Sequence, residues 1–179
     1  MPKLYHISDK GGIGRFHPQP VTKHHVEKVK EGVWAIEERL LHNYLLPRDC
    51  PRVTFYALPE SHPEDVYKYM GHTTADYVVA VESAWMSAIQ NTRLYLYELP
   101  SDTFTVFEEG AGYYLSQVSV MPSGVTSVDD LIGNITSRNV EFRIMPSLWD
   151  LCDAVVKSTL QFSMIRMRNA APRKVSDVS

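Results

Sequence analysis

Cysteine is scarce in this chain. Among 179 residues there are two, Cys50 and Cys152, far apart in sequence. They make no Cys-x-x-Cys pair, so neither a zinc ribbon nor a disulfide framework is written here. Two free thiols in a reducing compartment are the plain reading. Long hydrophobic runs are missing too. No stretch approaches the roughly 20 apolar residues that span a bilayer, and the polar first residues are not expected to act as a secretory leader. The expected setting is the cytoplasm, with no membrane partner. Positive charge is not in excess either: 18 Lys and Arg stand against 21 Asp and Glu, a net charge of −3. No global basic field draws a polyanion, so RNA is disfavoured unless Lys23, Lys28, Lys30, Arg39, Arg48 and Arg52 gather into one patch. The histidines follow no HxH or HExxH spacing, and no metal is expected.

What the chain does have is a run of short β-rich segments alternating with modest helices. Strands are expected at Lys3–Ser8, Gly32–Ile36, Arg52–Leu58, Asp76–Val81, Arg93–Leu99, Thr103–Phe107, Tyr113–Val120 and Val140–Met145. Each is rich in Val, Ile, Tyr, Phe or Thr and bounded by turn residues. Helices are expected at Glu37–Leu46, Pro63–Met70, Ser83–Gln90, Ser127–Arg138 and Ser147–Thr159, with Ser61, Ser127 and Ser147 as caps. Strands outnumber helices and several follow one another directly. That order predicts an α+β fold with mixed, largely antiparallel sheets and flanking helices. The length fits a single domain over 1–170, followed by a flexible polar tail at 171–179. Residues 9–31 carry no apolar period and read as a long loop, of the kind that binds or covers a ligand.

Four stretches invite a chemical reading. "GGIG" at 11–14 follows a strand but lacks the spacing of a phosphate loop, which favours a plain flexible loop. Cys50, in "PRDCPR", has arginines beside it that favour a thiolate and Asp49 that opposes them. Arg39, Arg48 and Arg52 could fork onto phosphate or carboxylate, or simply pair with nearby acids. "FEEGAGYYLS" places Glu108 and Glu109 before a glycine turn, and Tyr113, Tyr114 and Ser116 after it. This is either a ring-stacking site with a nearby acid and hydroxyl or an ordinary hairpin with cross-strand aromatics.

Taken together, LYHIS, VWAIEERLLHNYLLPRDCPRVTF, LYLYEL and AGYYLS resemble an uncharacterised microbial family over roughly residues 3–170. More remotely, a strand beginning "LYH", a long loop and a strand-into-helix of the "VWA" kind are similar to the ADP-ribosyltransferase-like superfamily. That resemblance implies an ADP-ribosyltransferase-like fold and a transferase that takes NAD, as substrate, or another nucleotide. It makes His6 the group that contacts a ribose. Trp34 stands at the aromatic position, without being the tyrosine found there. Glu109 becomes the acid acting on the reacting sugar, although it precedes the strand that carries Tyr113. Tyr113 or Trp34 would stack on the base, Arg48 would meet phosphate, and Arg39, Tyr114 and Ser116 would also contact the substrate. The alternatives are a transferase acting on an RNA- or tRNA-linked group or a small metabolite, and a binding protein with a degenerate site.

Overall fold

Burial along the first segment shows how these strands are placed. In "LYHIS" Leu4 is fully buried while Tyr5 to Ser8 are half-buried, as befits a strand with one dry end and two used faces. The computed structural model describes residues 2–20 and 31–173. Its strands are β1 (Leu4–Ser8), β2 (Gln19–Pro20), β3 (Glu31–Glu37), β4 (Arg52–Tyr56), β5 (Tyr77–Glu82), β6 (Leu94–Leu99), β7 (Thr105–Glu108), β8 (Tyr113–Ser116), β9 (Gly124–Val128), β10 (Val140–Met145) and β11 (Gln161–Ile165). The α-helices are α1 (Pro63–Met70), α2 (Met86–Asn91), α3 (Leu131–Thr136) and α4 (Trp149–Val155), and Glu38–Tyr44 forms a 3₁₀ helix. The fold is α+β with antiparallel and mixed sheets.

The chain, read from sequence as one domain, gathers into two compact units. The first takes the described residues up to Leu45 together with Thr92–Asp129. The second takes Leu46–Asn91 together with the described residues from Asp130 onward. In the first unit the sheet runs β7-β8-β3-β1-β6-β9, every neighbour antiparallel, with β2 added on β3. One face of it is dry. Leu4, Val33, Ala35, Tyr97 and Leu99 cluster there with Phe16 and Val120, which lie outside the named strands. Phe16 and Val120 reach the cluster because their backbones bond reciprocally, at 2.8 and 2.9 Å. Gly32 is where β3 has no room for a side chain, since a Cβ there would collide with Leu115 of β8.

In the second unit the sheet runs β10-β5-β4-β11, parallel between β10 and β5 and antiparallel elsewhere. Its core joins Val53, Phe55, Val78 and Ala80 of the sheet to Met70 of α1 and to Leu148, Cys152 and Val155 at α4. Each of its Val, Leu, Phe and Met side chains contributes roughly 1.5–3 kcal/mol on burial.

Several expectations need correction. Ser127 lies inside β9, and Asp130 caps α3 instead, accepting from the Gly133 N–H at 2.8 Å. A carboxylate one turn further on suits the helix N-terminus as well as the serine would. Ser61 turns back to bond Leu58, leaving His62 as the N-cap of α1. Ser147 sits one place before the N-cap of α4, Leu148, and accepts from Trp149. Of the expected tail, the described residues 171–173 are docked. The Trp149 indole donates to the Ala171 carbonyl at 2.6 Å, and the Arg173 guanidinium stacks 4.0 Å over the Trp149 ring while pairing with Asp153.

Candidate functional site

The first unit holds most of the residues the sequence marks, and its registers sort them by face. His6 pairs with Tyr97 of β6, and Tyr97 belongs to the dry cluster with Ala35, so His6 lies on that face. There its ring packs on Phe16, centroids 4.6 Å apart, and Phe16 meets Tyr97 edge-on at 5.2 Å. A carbonyl can only accept, so the 3.0 Å contact between His6 Nδ1 and the Trp34 carbonyl makes Nδ1 the donor. In the neutral ring Nε2 then carries the lone pair. Tyr114 faces the same side. It registers with Ala35 and packs against the same cluster. Two strand spacings, about 10 Å, separate the backbones carrying His6 and Tyr114.

Trp34 and Tyr113 point the other way. Trp34 registers with Leu115 and Tyr113 with Ile36, each one residue out of step with Ala35 and Tyr114. On that face Trp34 meets Phe107 edge-on at 4.8 Å and Tyr113 at 5.8 Å, and the Tyr113 hydroxyl bonds that of Tyr44. Arg39 pairs with Glu37 and donates to the backbone carbonyl of Glu109 at 3.1 Å. Glu109 itself is exposed in the turn between β7 and β8. That turn is tight because Gly112, at φ +65, has Glu37 and Leu40 where a side chain would stand. The structure thus brings His6 and Tyr114 to one face, and Trp34 and Tyr113 to the other.

Ser116 is fully buried. Its hydroxyl meets that of Thr103 at 2.8 Å and donates to the Val118 carbonyl at 3.3 Å, so it is spent on closing the loop after β8. Arg48 belongs to the second unit, exposed, with its own carbonyl accepting from Arg166. Arg52 is buried and donates to the carbonyls of Cys50, at 2.8 Å, and Pro47, which removes it from any surface basic patch. Burial pushes the Cys50 thiol up to about 12 despite the nearby Arg52, which opposes nucleophilic use. His24, His25, Lys23, Lys28 and Lys30 lie outside the described residues. Among the described residues no three metal-ligating side chains gather, and no helix is long and apolar enough to cross a membrane.

Two neighbours of His6 escape a sequence reading. Phe16 sits in a loop without period. Tyr97 holds that loop from far along the chain, its hydroxyl donating to the Lys10 carbonyl at 2.7 Å and accepting from the Ile13 N–H at 3.1 Å. Only the apolar character of Ile13 and Phe16, within "GGIGRFHP", hints that the loop is anchored.

A model of a family of unknown function, DUF6886, matches residues 5–170. The chain belongs to that family. The DUF6886 match takes in every candidate described here, from His6 to Ser116 and both cysteines. No curated protein and no solved structure matches the chain.

Proposed function

We propose that this chain is a transferase of ADP-ribosyltransferase-like architecture that binds NAD or another nucleotide-containing substrate on the His6 face of the first unit's sheet. The observation that carries this reading is the imidazole held by backbone. With Nδ1 donating to the Trp34 carbonyl, Nε2 has a fixed direction and an acceptor's lone pair, which suits a ribose hydroxyl. Tyr114 supplies an amphipathic ring on the same face, at a spacing that suits a nucleoside. Trp34 and Tyr113 back the same strands from the other side, and Arg39 steadies the turn that carries Glu109. Glu109 is the acid assigned to the reacting sugar.

A ligand that binds only the native state raises its stability, by about 2.7 kcal/mol at a hundred times Kd. Millimolar NAD or ADP-ribose is therefore expected to raise the melting temperature of the native chain and to leave His6→Ala unmoved. No rise with NAD, ADP-ribose or other nucleotides sinks the reading.

A second reading, binding without turnover, has its own support. Arg39 grips the backbone of Glu109, not its carboxylate, and that residue stays exposed in a turn. A catalytic acid is more often held in place by its own side chain. If nucleotide binding is present and Glu109→Gln leaves every measured activity unchanged, the degenerate binding site is the better account.

A further inference from the structure

Three arginines of the second unit gather at one corner. Arg48 and Asp49 lie in the turn before β4, and Arg166–Asn169 follow β11, where Met167–Asn169 form a 3₁₀ turn. Side chains tie the two stretches together through the backbone. Arg166 Nε donates to the Arg48 carbonyl at 3.2 Å, and the Asn169 amide donates to the Asp49 carbonyl at 2.7 Å. Met167 packs onto the second unit's core, so Arg166 and Arg168, each about a third of a turn from it, point elsewhere. We propose that this corner binds a compact, multiply charged phosphate group, such as the diphosphate end of a small metabolite.

The charges here are not balanced as they are elsewhere in the chain. Arg39 pairs with Glu37, Arg93 with Asp129, Arg143 with Glu141 and Arg173 with Asp153. Arg48 and Arg168 are exposed, and neither side chain bonds or pairs with a described residue. Arg166 meets one carboxylate, that of Asp49, at 3.8 Å. Arg52, near in sequence, is buried and spent on the carbonyls of Pro47 and Cys50, so it neither adds to the corner nor neutralises it. Arg166 also stands at φ 58, ψ 26, a left-handed backbone that a long side chain enters at a cost. Guanidinium forks meet phosphate oxygens in pairs, so three arginines facing one aspartate favour an anion with several oxygens and more than one charge. No described aromatic ring packs on the three arginines, so the corner suits phosphate and offers no stacking platform for a base. This site stands apart from the His6 face, and either reading can fail alone.

The test is titration of the full chain with inorganic pyrophosphate at fixed ionic strength, followed by amide resonances. Saturable changes are expected at Arg48, Asp49 and Arg166 to Ala170, with sulfate about tenfold weaker. The side chains of Arg48 and Arg168 hold no described partner, so Arg48→Ala and Arg168→Ala should fold as the native chain does. Each should weaken pyrophosphate about tenfold. Asp49→Asn removes the competing carboxylate and should tighten binding about threefold. That gain is one a merely structural role for these residues would not produce. No saturable change at millimolar pyrophosphate overturns the proposal. So does equal binding of sulfate, or an Asp49→Asn variant that binds pyrophosphate no more tightly. An oligouridylate that binds more tightly than pyrophosphate, with changes spreading beyond the corner, overturns it in favour of an RNA surface.

Discussion

Glu82 and His6 are both polar side chains set in sheets, and they are used in opposite ways. Glu82, on β5 of the second unit, is 1% exposed. Its two oxygens accept from the Leu148 N–H at 3.2 Å and the Ala171 N–H at 2.9 Å, stapling the start of α4 and the docked residues 171–173 to the sheet. Arg52 and Arg143 do similar work there, each donating to backbone carbonyls. In the first unit His6 is half-buried, oriented by one carbonyl and packed on the buried Phe16, which in turn meets the buried Tyr97. A charge sunk in a core is held because its partners are complete. A polar ring at the edge of a dry face is oriented but still meets solvent. The difference teaches where to look for chemistry: in the second unit's core the charged groups are structural, and the first unit's sheet keeps the better candidates.

The largest effects should come from the dry side of this contrast. Phe55 is 1% exposed at the centre of the second core, and Phe55→Ala should cost about 4 kcal/mol in urea unfolding. Glu82→Ala should follow at about 3 kcal/mol, because it strands the buried Leu148 N–H and the half-buried Ala171 N–H. Glu82→Gln keeps one acceptor and should cost less. If Glu82→Ala unfolds at the same urea concentration as the native chain, the carboxylate is no staple and the contrast with His6 fails.

How far the sequence carries depends on what a strand pairs with. β1, β3, β4, β5 and β6 stand within a residue or two of their expected bounds, because Val, Ile, Tyr and Leu fill both sides of central strands, and the edge strand β10 matches its expected bounds as well. β2, inside the expected loop 9–31, and β9 and β11 are the misses, and β9 and β11 are edges of their sheets. In β9, "GVTSV", the first four residues are exposed, so no apolar pattern marks it, and the following Asp-Asp draws the eye to a helix start. The helix expected over Glu37–Leu46 is a shorter 3₁₀ turn with no capping side chain. The candidate site divides in the same way. That His6 lies on a strand is readable locally. That it shares a face with Tyr114 and not with Trp34 depends on how β1 registers on β3 and β3 on β8, pairings between segments far apart in the chain.

In the first unit the comparison can be sharpened by crowding. A methyl group on Gly32 has nowhere to go but into Leu115, so Gly32→Ala should cost about 2 kcal/mol. Loss of stability well below that figure would show that β8 yields easily, and that the turn carrying Glu109 is looser than its bonds suggest. Tyr97→Phe is a gentler probe of the His6 surroundings. It removes the hydroxyl that ties Lys10 and Ile13, and the expected cost is about 1 kcal/mol, measured by urea midpoint.

The smallest expected effect is electrostatic and belongs to the surface of the second unit. Asp65 accepts from the backbone N–H of Thr159 at 2.8 Å and from its hydroxyl at 2.7 Å. Chiefly through that N–H, its carboxyl is held below the ordinary 3.8. A carboxyl whose folded pKa lies below its unfolded one stabilises the fold fully above the unfolded value. That contribution fades as pH falls through the folded value. Here the window opens just below pH 4. Asp65→Asn retains a carbonyl for the Thr159 N–H but cannot titrate, so the loss of stability between pH 5 and pH 2 should be shallower in the variant. Parallel curves for the two chains would mean that Thr159 bonds the neutral acid as well as the carboxylate. The second unit's surface network would then be indifferent to charge at this position.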